Sequence, residues 1–375
     1  METIKVMVIF GTRPEAIKMA PLVKELEKVP QIQCTVCVTA QHREILDQVL
    51  EIFNIVPKYD LNIMKSKQSL TGITCSVLHG LEEILDTEKP DIVLVHGDTT
   101  TSFAASLAAF YRKIPIGHVE AGLRSHNKFY PYPEEINRKL TGALADLHFS
   151  PTNTSKENLL LEGVDESIIF VTGNTVIDAM KYTIKENYIF EDSKLNALDY
   201  KNKKIILVTA HRRENWGSGI ENICSALKVI VKENSDVEVL YLVHPNPIVK
   251  DMVNRILKGI DRIHLLEPLD TGEMHNLMKK CYIIMTDSGG IQEEAPHLGK
   301  PVLVLRDVTE RVEAQEAGTV KLVGTDKQEI VRKASKLLNN LDEYNNMSRS
   351  INPYGDGNAS AKIVDALLNC FNKEY

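Results

Sequence analysis

Residues 287–301 read Asp-Ser-Gly-Gly-Ile-Gln-Glu-Glu-Ala-Pro-His-Leu-Gly-Lys-Pro and lie between two apolar runs, 282–285 and 302–305. That pattern predicts strand, tight turn, short helix, strand. Ser288, Gly289 and Gly290 then open the helix, where first-turn amides lack intrahelical acceptors and the helix dipole is positive, a setting that suits a diphosphate. The two glycines remove the Cβ atoms that would hold an anion off the backbone. Glu293 and Glu294 follow more than one turn later, so one carboxylate is placed to reach a ribose hydroxyl. The whole suits a nucleotide sugar. Taken alone, the same residues would serve equally well as a turn and a solvated helix face, so the rest of the chain decides.

Outward from this stretch, short β-rich apolar runs alternate with longer helical patterns, the mark of parallel sheets wrapped by helices. Runs at 4–10, 32–39, 91–96, 115–119, 147–150 and 168–172 form one set, with helices at 14–28 and 99–112 among them. A second set comprises 204–209, 237–243, 262–265, 282–285, 301–305 and 320–323. With 375 residues the chain is long enough for two cores. The fold class expected is α/β, two doubly wound domains facing across a cleft. Residues 1–173 form the first, with the hinge at 172–174, and 174–355 form the second. The helical spacing near the C-terminus suggests that 356–375 returns to complete the first.

A formal net charge of −7 argues against nucleic-acid or anionic-membrane partners, so an anion site must be built locally. No apolar run approaches bilayer length, and no signal-peptide cleavage pattern follows the N-terminus, so a cytoplasmic protein is expected. Cys34 and Cys37 fall in one predicted strand on opposite faces, which disfavours a redox or zinc pair. His42, His118, His244 and His297 share no ligand spacing, so no metal is expected. After the first strand, Gly11-Thr12-Arg13-Pro14-Glu15-Ala16 breaks the dinucleotide fingerprint, and a lysine-containing phosphate loop is missing from the sequence. No cofactor is expected.

Open α/β sheets bind ligands beyond the carboxyl ends of their strands. Polar residues recur there: Gly11-Thr12-Arg13 with Lys18, Gln41-His42-Arg43, Gly97-Asp98-Thr99, residues 120–124, residues 210–214 and His244. Arg13 and Lys18 suit an anionic substrate. Asp98, Glu120 and Glu134 are carboxylates that the topology could gather at one edge, where clustering would raise their pKa values and supply acid and base near neutrality. Asp98 reads equally as the N-cap of the helix that follows, and Glu134 as a first-turn charge. His211, beside Arg212 and Arg213, is placed for a role at a leaving phosphate.

These residues carry a resemblance. Gly11 through Pro21, the run 95–100, His118 through Arg124, Pro133 through Arg138, Ala210 through Asn215 and Asp287 through Pro296 are similar to the motifs of non-hydrolysing UDP-N-acetylglucosamine 2-epimerases. The resemblance implies the two-Rossmann-lobe glycosyltransferase B fold and a homodimer. It implies reversible conversion of UDP-N-acetylglucosamine to UDP-N-acetylmannosamine without a nicotinamide, supplying an activated sugar for cell-surface polysaccharide. UDP would leave C1 as C2 loses its proton, giving a 2-acetamidoglucal that is reprotonated on the other face. By the same resemblance Asp98, Glu120 and Glu134 are the acid/base carboxylates and His211 a helper at the diphosphate. Arg13, Lys18, Arg138, Ser288, Gly289, Gly290, Glu294 and Arg311 look like substrate contacts.

Many bacterial members also bind UDP-N-acetylglucosamine at a neighbouring regulatory site, which Gln41, Glu134, Arg212 and His244 resemble. There Glu44 and Lys67 stand in place of glutamine and arginine, and lysine cannot reproduce a bidentate arginine contact. The rival readings are a glycosyltransferase of the same fold, which would need an acceptor site, a hydrolysing epimerase, and a nucleotide-sugar sensor that would not need the three carboxylates.

Overall fold

The computed structural model describes residues 3–40, 43–64 and 68–372, with the side chains of 43–45 and 372 left aside. By contact the chain divides into two units, Met1–Tyr182 with Tyr354–Tyr375, and Thr183–Pro353.

The first unit holds β1 (Ile4–Phe10), β2 (Ile32–Val38), β3 (Tyr59–Asp60), β4 (Ile92–His96), β5 (Ile116–Val119), β6 (Leu147–Ser150) and β7 (Ile169–Val171). Their order is β3-β2-β1-β4-β5-β6-β7, every pair parallel. Because side chains alternate across a strand, β1 must be apolar on both sides to be covered by helices on both. Val6, Val8 and Phe10 pack into a layer with Met19, Leu22, Ile363 and Leu367. Met7 and Ile9 pack into the opposite layer with Val77, Leu81, Ala104 and Ala108. Cys34 and Cys37 fall into opposite layers as their odd spacing requires. Burial pushes both thiols up to about 12.

The division falls a helix later than the expected hinge, because Thr175–Thr183 packs on the first unit. Ala179 and Tyr182 join its core, with the Tyr182 ring 5.3 Å from that of Phe53. Asp178 of this helix accepts from the amides of Ala359 and Ser360 at 3.1 and 2.9 Å, capping the last helix, Ala359–Asn372.

The second unit holds β8 (Lys204–Thr209), β9 (Val237–Leu242), β10 (Ile263–Leu266), β11 (Ile283–Thr286), β12 (Val302–Val304) and β13 (Val320–Leu322), in the order β10-β9-β8-β11-β12-β13, again parallel. One face of this sheet packs on Ile220, Ile223, Leu227 and Ile230 of the helix Ser218–Glu233 and on Ile330, Ala334 and Leu337 of the helix Lys327–Asn339. Each leucine or isoleucine among them, fully buried, contributes about 1.5–3 kcal/mol. Among the described residues no helix is long and apolar enough to cross a membrane.

Candidate active site

In the first unit, strand order reverses between β1 and β4, so their following loops open a crevice. Gly11 ends β1 with no room for a side chain: a Cβ there would lie 1.9 Å from Thr39 Oγ1. Glu15, only 1% exposed, then staples the loops together. Its Oε2 accepts from the amides of Gly11 at 3.1 Å and Thr12 at 2.7 Å, and its Oε1 from the hydroxyls of Thr99 at 2.7 Å and Ser102 at 2.9 Å. Sequence reasoning gave Glu15 no role, although the Thr12-x-x-Glu15 spacing is that of a capping box.

Asp98 is not the N-cap that its position suggested. Thr99 takes that role, its hydroxyl accepting from Ser102 N at 3.0 Å ahead of the helix Thr100–Tyr111. The Asp98 carboxylate is thereby left for Arg138, with which it forms an ion pair, while its carbonyl accepts from Asn137 Nδ2 at 3.0 Å. Both partners lie on the helix Glu134–Leu144. Glu134 sits one turn before Arg138 on the same face, and its Oε2 is buried with no hydrogen-bond partner among the described residues. Glu135 is buried and accepts from the amides of Ser125 at 3.0 Å and His126 at 3.2 Å and from Arg138 Nη1 at 3.2 Å. Arg138, expected at the substrate, is thus engaged by two carboxylates and orients Asp98.

Glu120 follows β5 in a left-handed conformation, φ 62°. Lys18 and Asn174 Nδ2, the latter at 2.8 Å, donate to its Oε2, and His96 Nε2 lies 3.6 Å from the same oxygen. Oε1 lies beside Gly97, 3.6 Å from where a Cβ there would stand, which brings Glu120 next to the Asp98 loop. Burial would raise this carboxyl, but Lys18 and then His96 hold it well below the usual carboxylate range. The expectation that clustered carboxylates raise one another therefore fails at Glu120, because each near neighbour of Oε2 is a donor or a potential cation. Lys18, expected as a substrate clamp, is the principal partner of this carboxylate, and Arg13 stands exposed at the start of the same helix, Arg13–Leu26. His118, wholly buried, is driven down to about 3 by burial and contacts the Gly97 carbonyl through Nε2 at 2.7 Å, fixing the turn before Asp98.

The second unit reverses strand order between β8 and β11. Asp287, directly after β11, is fully buried, and its Oδ2 accepts from the amides of His211 and Arg212, both at 2.8 Å, and from Asn215 Nδ2 at 2.9 Å. The His211 ring stacks on His244, centroids 5.3 Å apart and planes 12° from parallel. Ser288 precedes the short helix Gly289–Glu294. A Cβ at Gly289 would meet Glu310 Oε1 at 3.1 Å and Arg311 Nη2 at 3.4 Å, so those side-chain ends would have to give by a few tenths of an ångström, and one at Gly290 would meet Glu294 Oε1 at 3.2 Å.

Of the two glutamates considered for a ribose, Glu293 is excluded: it is 1% exposed and binds Arg311 Nε at 2.6 Å. Glu294 keeps partial exposure and contacts His275 Nε2 at 3.2 Å, while His275 Nδ1 lies 2.7 Å from the Thr183 hydroxyl. Sequence reasoning missed Arg306, which donates to Glu214 and Glu310, both at 2.7 Å, and Glu310, which lies 3.6 Å from Arg212 and 3.5 Å from Arg311. Burial would raise Glu310, but Arg311 and Arg306 hold it below its usual range. Of the regulatory residues, Gln41 and Lys67 and the side chain of Glu44 lie outside the described residues.

One unit that gathers carboxylates and another that gathers arginines and a histidine, both doubly wound, define an enzyme of the glycosyltransferase B-like class. A family-wide sequence model described as UDP-N-acetylglucosamine 2-epimerase matches residues 24–368. A Bacillus subtilis UDP-N-acetylglucosamine 2-epimerase is 57% identical over 369 residues, 98% of this chain and 96% of the relative. A crystal structure of a UDP-N-acetylglucosamine 2-epimerase superposes with a TM-score of 0.92 at 54% identity, covering 100% of this chain and 97% of that one. A Neisseria meningitidis UDP-GlcNAc 2-epimerase, solved with UDP-GlcNAc bound, gives 0.87 at 51% identity, covering 98% and 100%. The chain belongs to the UDP-N-acetylglucosamine 2-epimerase family, a family of isomerases.

Proposed function

We propose that this chain interconverts UDP-N-acetylglucosamine and UDP-N-acetylmannosamine by eliminating UDP across C1 and C2 and adding it back after C2 is reprotonated on the opposite face. The observation that carries the assignment of roles is the pairing of Asp98 with Arg138 on the helix whose first residue, Glu134, has a buried carboxylate oxygen with no partner among the described residues. A carboxylate fixed by an arginine and a second one with a buried, undonated oxygen have unlike environments, the condition for dividing acid and base work between them. Asp98 and Glu134 are assigned to the C2 proton.

Glu120, held ionised by Lys18, is assigned to electrostatics. As the C1–O bond breaks, positive charge grows at C1 and negative charge on UDP, and a fixed carboxylate stabilises the former. The C2 proton is scarcely acidic until that bond weakens, so the leaving group must be stabilised at the same time. His211, Arg212, Arg311, the Ser288 hydroxyl and the amides of Gly289 and Gly290 are assigned to the diphosphate, the Ser288 amide being taken by Thr286 Oγ1 at 2.9 Å, and Glu294 is assigned to the ribose. The cytoplasm is the proposed location, supported by six cysteines that are all free. A homodimer, implied by the resemblance, is tested by light scattering.

Incubation of the purified chain with UDP-N-acetylglucosamine in heavy water decides the reaction. Deuterium at C2 of both intact nucleotide sugars is expected. Turnover that keeps the original C2 hydrogen, or release of free sugar in place of the epimer, rejects it.

A further inference from the structure

We infer that Asp287 is a positioning residue for His211: it anchors the loop carrying the ring and holds the proton on Nδ1, so that Nε2 is the nitrogen presented to the departing diphosphate. This rests on the assignment of His211 to that diphosphate. The two oxygens of Asp287 have separate environments. Oδ2 takes three donors, two of them the backbone amides of His211 and Arg212. Oδ1 is buried without a hydrogen bond among the described residues and lies 3.2 Å from His211 Nδ1. An acceptor that is shut off from water and left undonated is costly, so a donor within reach is favoured. Here Nδ1–H is that donor, and a small rotation of the ring aligns it, as catalytic contacts commonly tighten once substrate binds.

A neutral imidazole has a single N–H. Fixed on Nδ1, it leaves the Nε2 lone pair outward, able to take a proton and then donate it to an anionic oxygen. The ring is 39% exposed while Asp287 is wholly buried, so the open side of the ring faces away from the carboxylate. The groups around the ring are Asp287 from the end of β11, His244 from the end of β9, and Arg212 beside it in the chain. Burial first, then His244 and Arg212, disfavour the charged ring, and Asp287 opposes them. Removing Asp287 would leave only opposition to an imidazolium formed as the leaving group departs. Nothing in the spacing of the motif at 287–290 had given the aspartate a task separate from the turn.

Selective ¹⁵N-histidine labelling of the full chain reads the tautomer directly, with the His211 signals assigned by their loss in His211→Gln. A ring protonated at Nδ1 and bare at Nε2 is expected at pH 8, and the reverse tautomer overturns the inference whether or not the protein is active. In steady-state epimerisation, Asp287→Asn is expected to lower kcat about 100-fold, in the range of acid–base groups, with KM for UDP-N-acetylglucosamine little changed. The limb of the kcat–pH profile that follows loss of the imidazolium proton should move to lower pH.

On a His211→Gln background the same substitution should add little, whereas losses that multiply would show that Asp287 only holds the loop and would overturn the inference. If Asp287→Asn does not fold, the tautomer decides by itself. Lack of C2 exchange in the unmodified chain would defeat the proposed reaction and leave the tautomer result standing.

Discussion

Both units place a buried carboxylate across the point where strand order reverses, yet they use it beside opposite chemistry. In the first, Glu15 ties the Gly11-Thr12 amides to the Thr99 and Ser102 hydroxyls. In the second, Asp287 ties the end of β11 to the His211-Arg212 amides. One staple comes from the helix after the first strand, the other from the end of the neighbouring strand, so the two arose from different sequence positions to solve one problem. A loop that must hold reactive groups has amides to satisfy and too few residues to do it within itself. Around the Glu15 staple stand carboxylates matched by Lys18 and Arg138, an environment for moving protons. Around the Asp287 staple stand Arg212 and His211, with Arg306 and Arg311 on the Glu310 side, an environment for holding an anion.

The sharpest way to break this division is to remove the proposed proton carrier and keep the proposed anion site. Glu134→Gln is expected to slow C2 exchange about 10²–10⁴-fold, measured by deuterium incorporation, while UDP affinity by calorimetry stays close to that of the unmodified chain. Loss of UDP binding in step with exchange would mean that the acidic cluster serves binding as well.

Next in size is the staple itself. Glu15→Ala leaves two amides and two hydroxyls without their buried acceptor and should cost on the order of 3 kcal/mol in urea unfolding. Asp287→Ala, with three donors stranded, should cost a comparable amount, and a cost confined to one of the two would end the equivalence drawn between them.

Lys18→Met probes why the acidic cluster does not repel itself. Since the folded Glu120 carboxyl lies below its unfolded value near 4.5, its pairing adds stability that is fully present above that pH and is lost as pH falls through the depressed folded value. Without Lys18, burial is opposed only by His96 and the remaining hydrogen bonds, and the ionised carboxylate becomes a burden at neutral pH. The thermal midpoint of Lys18→Met should therefore fall furthest below the unmodified chain near pH 7, and the gap should begin to narrow below about pH 4.5 and close only as pH falls through the depressed folded value. A gap that does not vary with pH would assign Lys18 to packing alone.

The sheets were legible because a parallel strand covered on both faces must read as an unbroken apolar run, and Ile4–Phe10 and Lys204–Thr209 fall where those runs do. β3 was not, since Tyr59–Asp60 is two residues long at an edge and leaves no periodicity to see. The polar residues at strand ends were visible from topology. Their partners were not: Lys18 and Glu120 are 102 positions apart, Arg306 and Glu214 92, and no local spacing records such a pairing. Asp98 shows the cost of local reasoning most clearly, for Asp98 and Thr99 are both sound caps and only tertiary contacts, Arg138 to Asp98 and Glu15 to Thr99, distinguish them.

The smallest effect expected concerns Glu310, which sharpens what the second unit is for. Its carboxylate is ionised at neutral pH, accepts from Arg306 and lies close to Arg212 and Arg311, so it occupies the cations that a diphosphate would use. A bound anion must share or displace it. Glu310→Gln keeps the size of the side chain and part of its hydrogen bonding but removes the competing charge, so UDP should bind several-fold tighter, a gain that shrinks as salt screens the partly exposed Arg212 and Arg311. The same change leaves the buried Arg306 with Glu214 as its remaining carboxylate, so some stability should be lost as affinity rises. Tighter UDP with a less stable fold is the pairing that marks Glu310 as a placeholder for the ligand. Weaker UDP would instead make Glu310 a strut that keeps the arginines aimed, and the second unit would then resemble the first in needing its carboxylates to hold its cations in place.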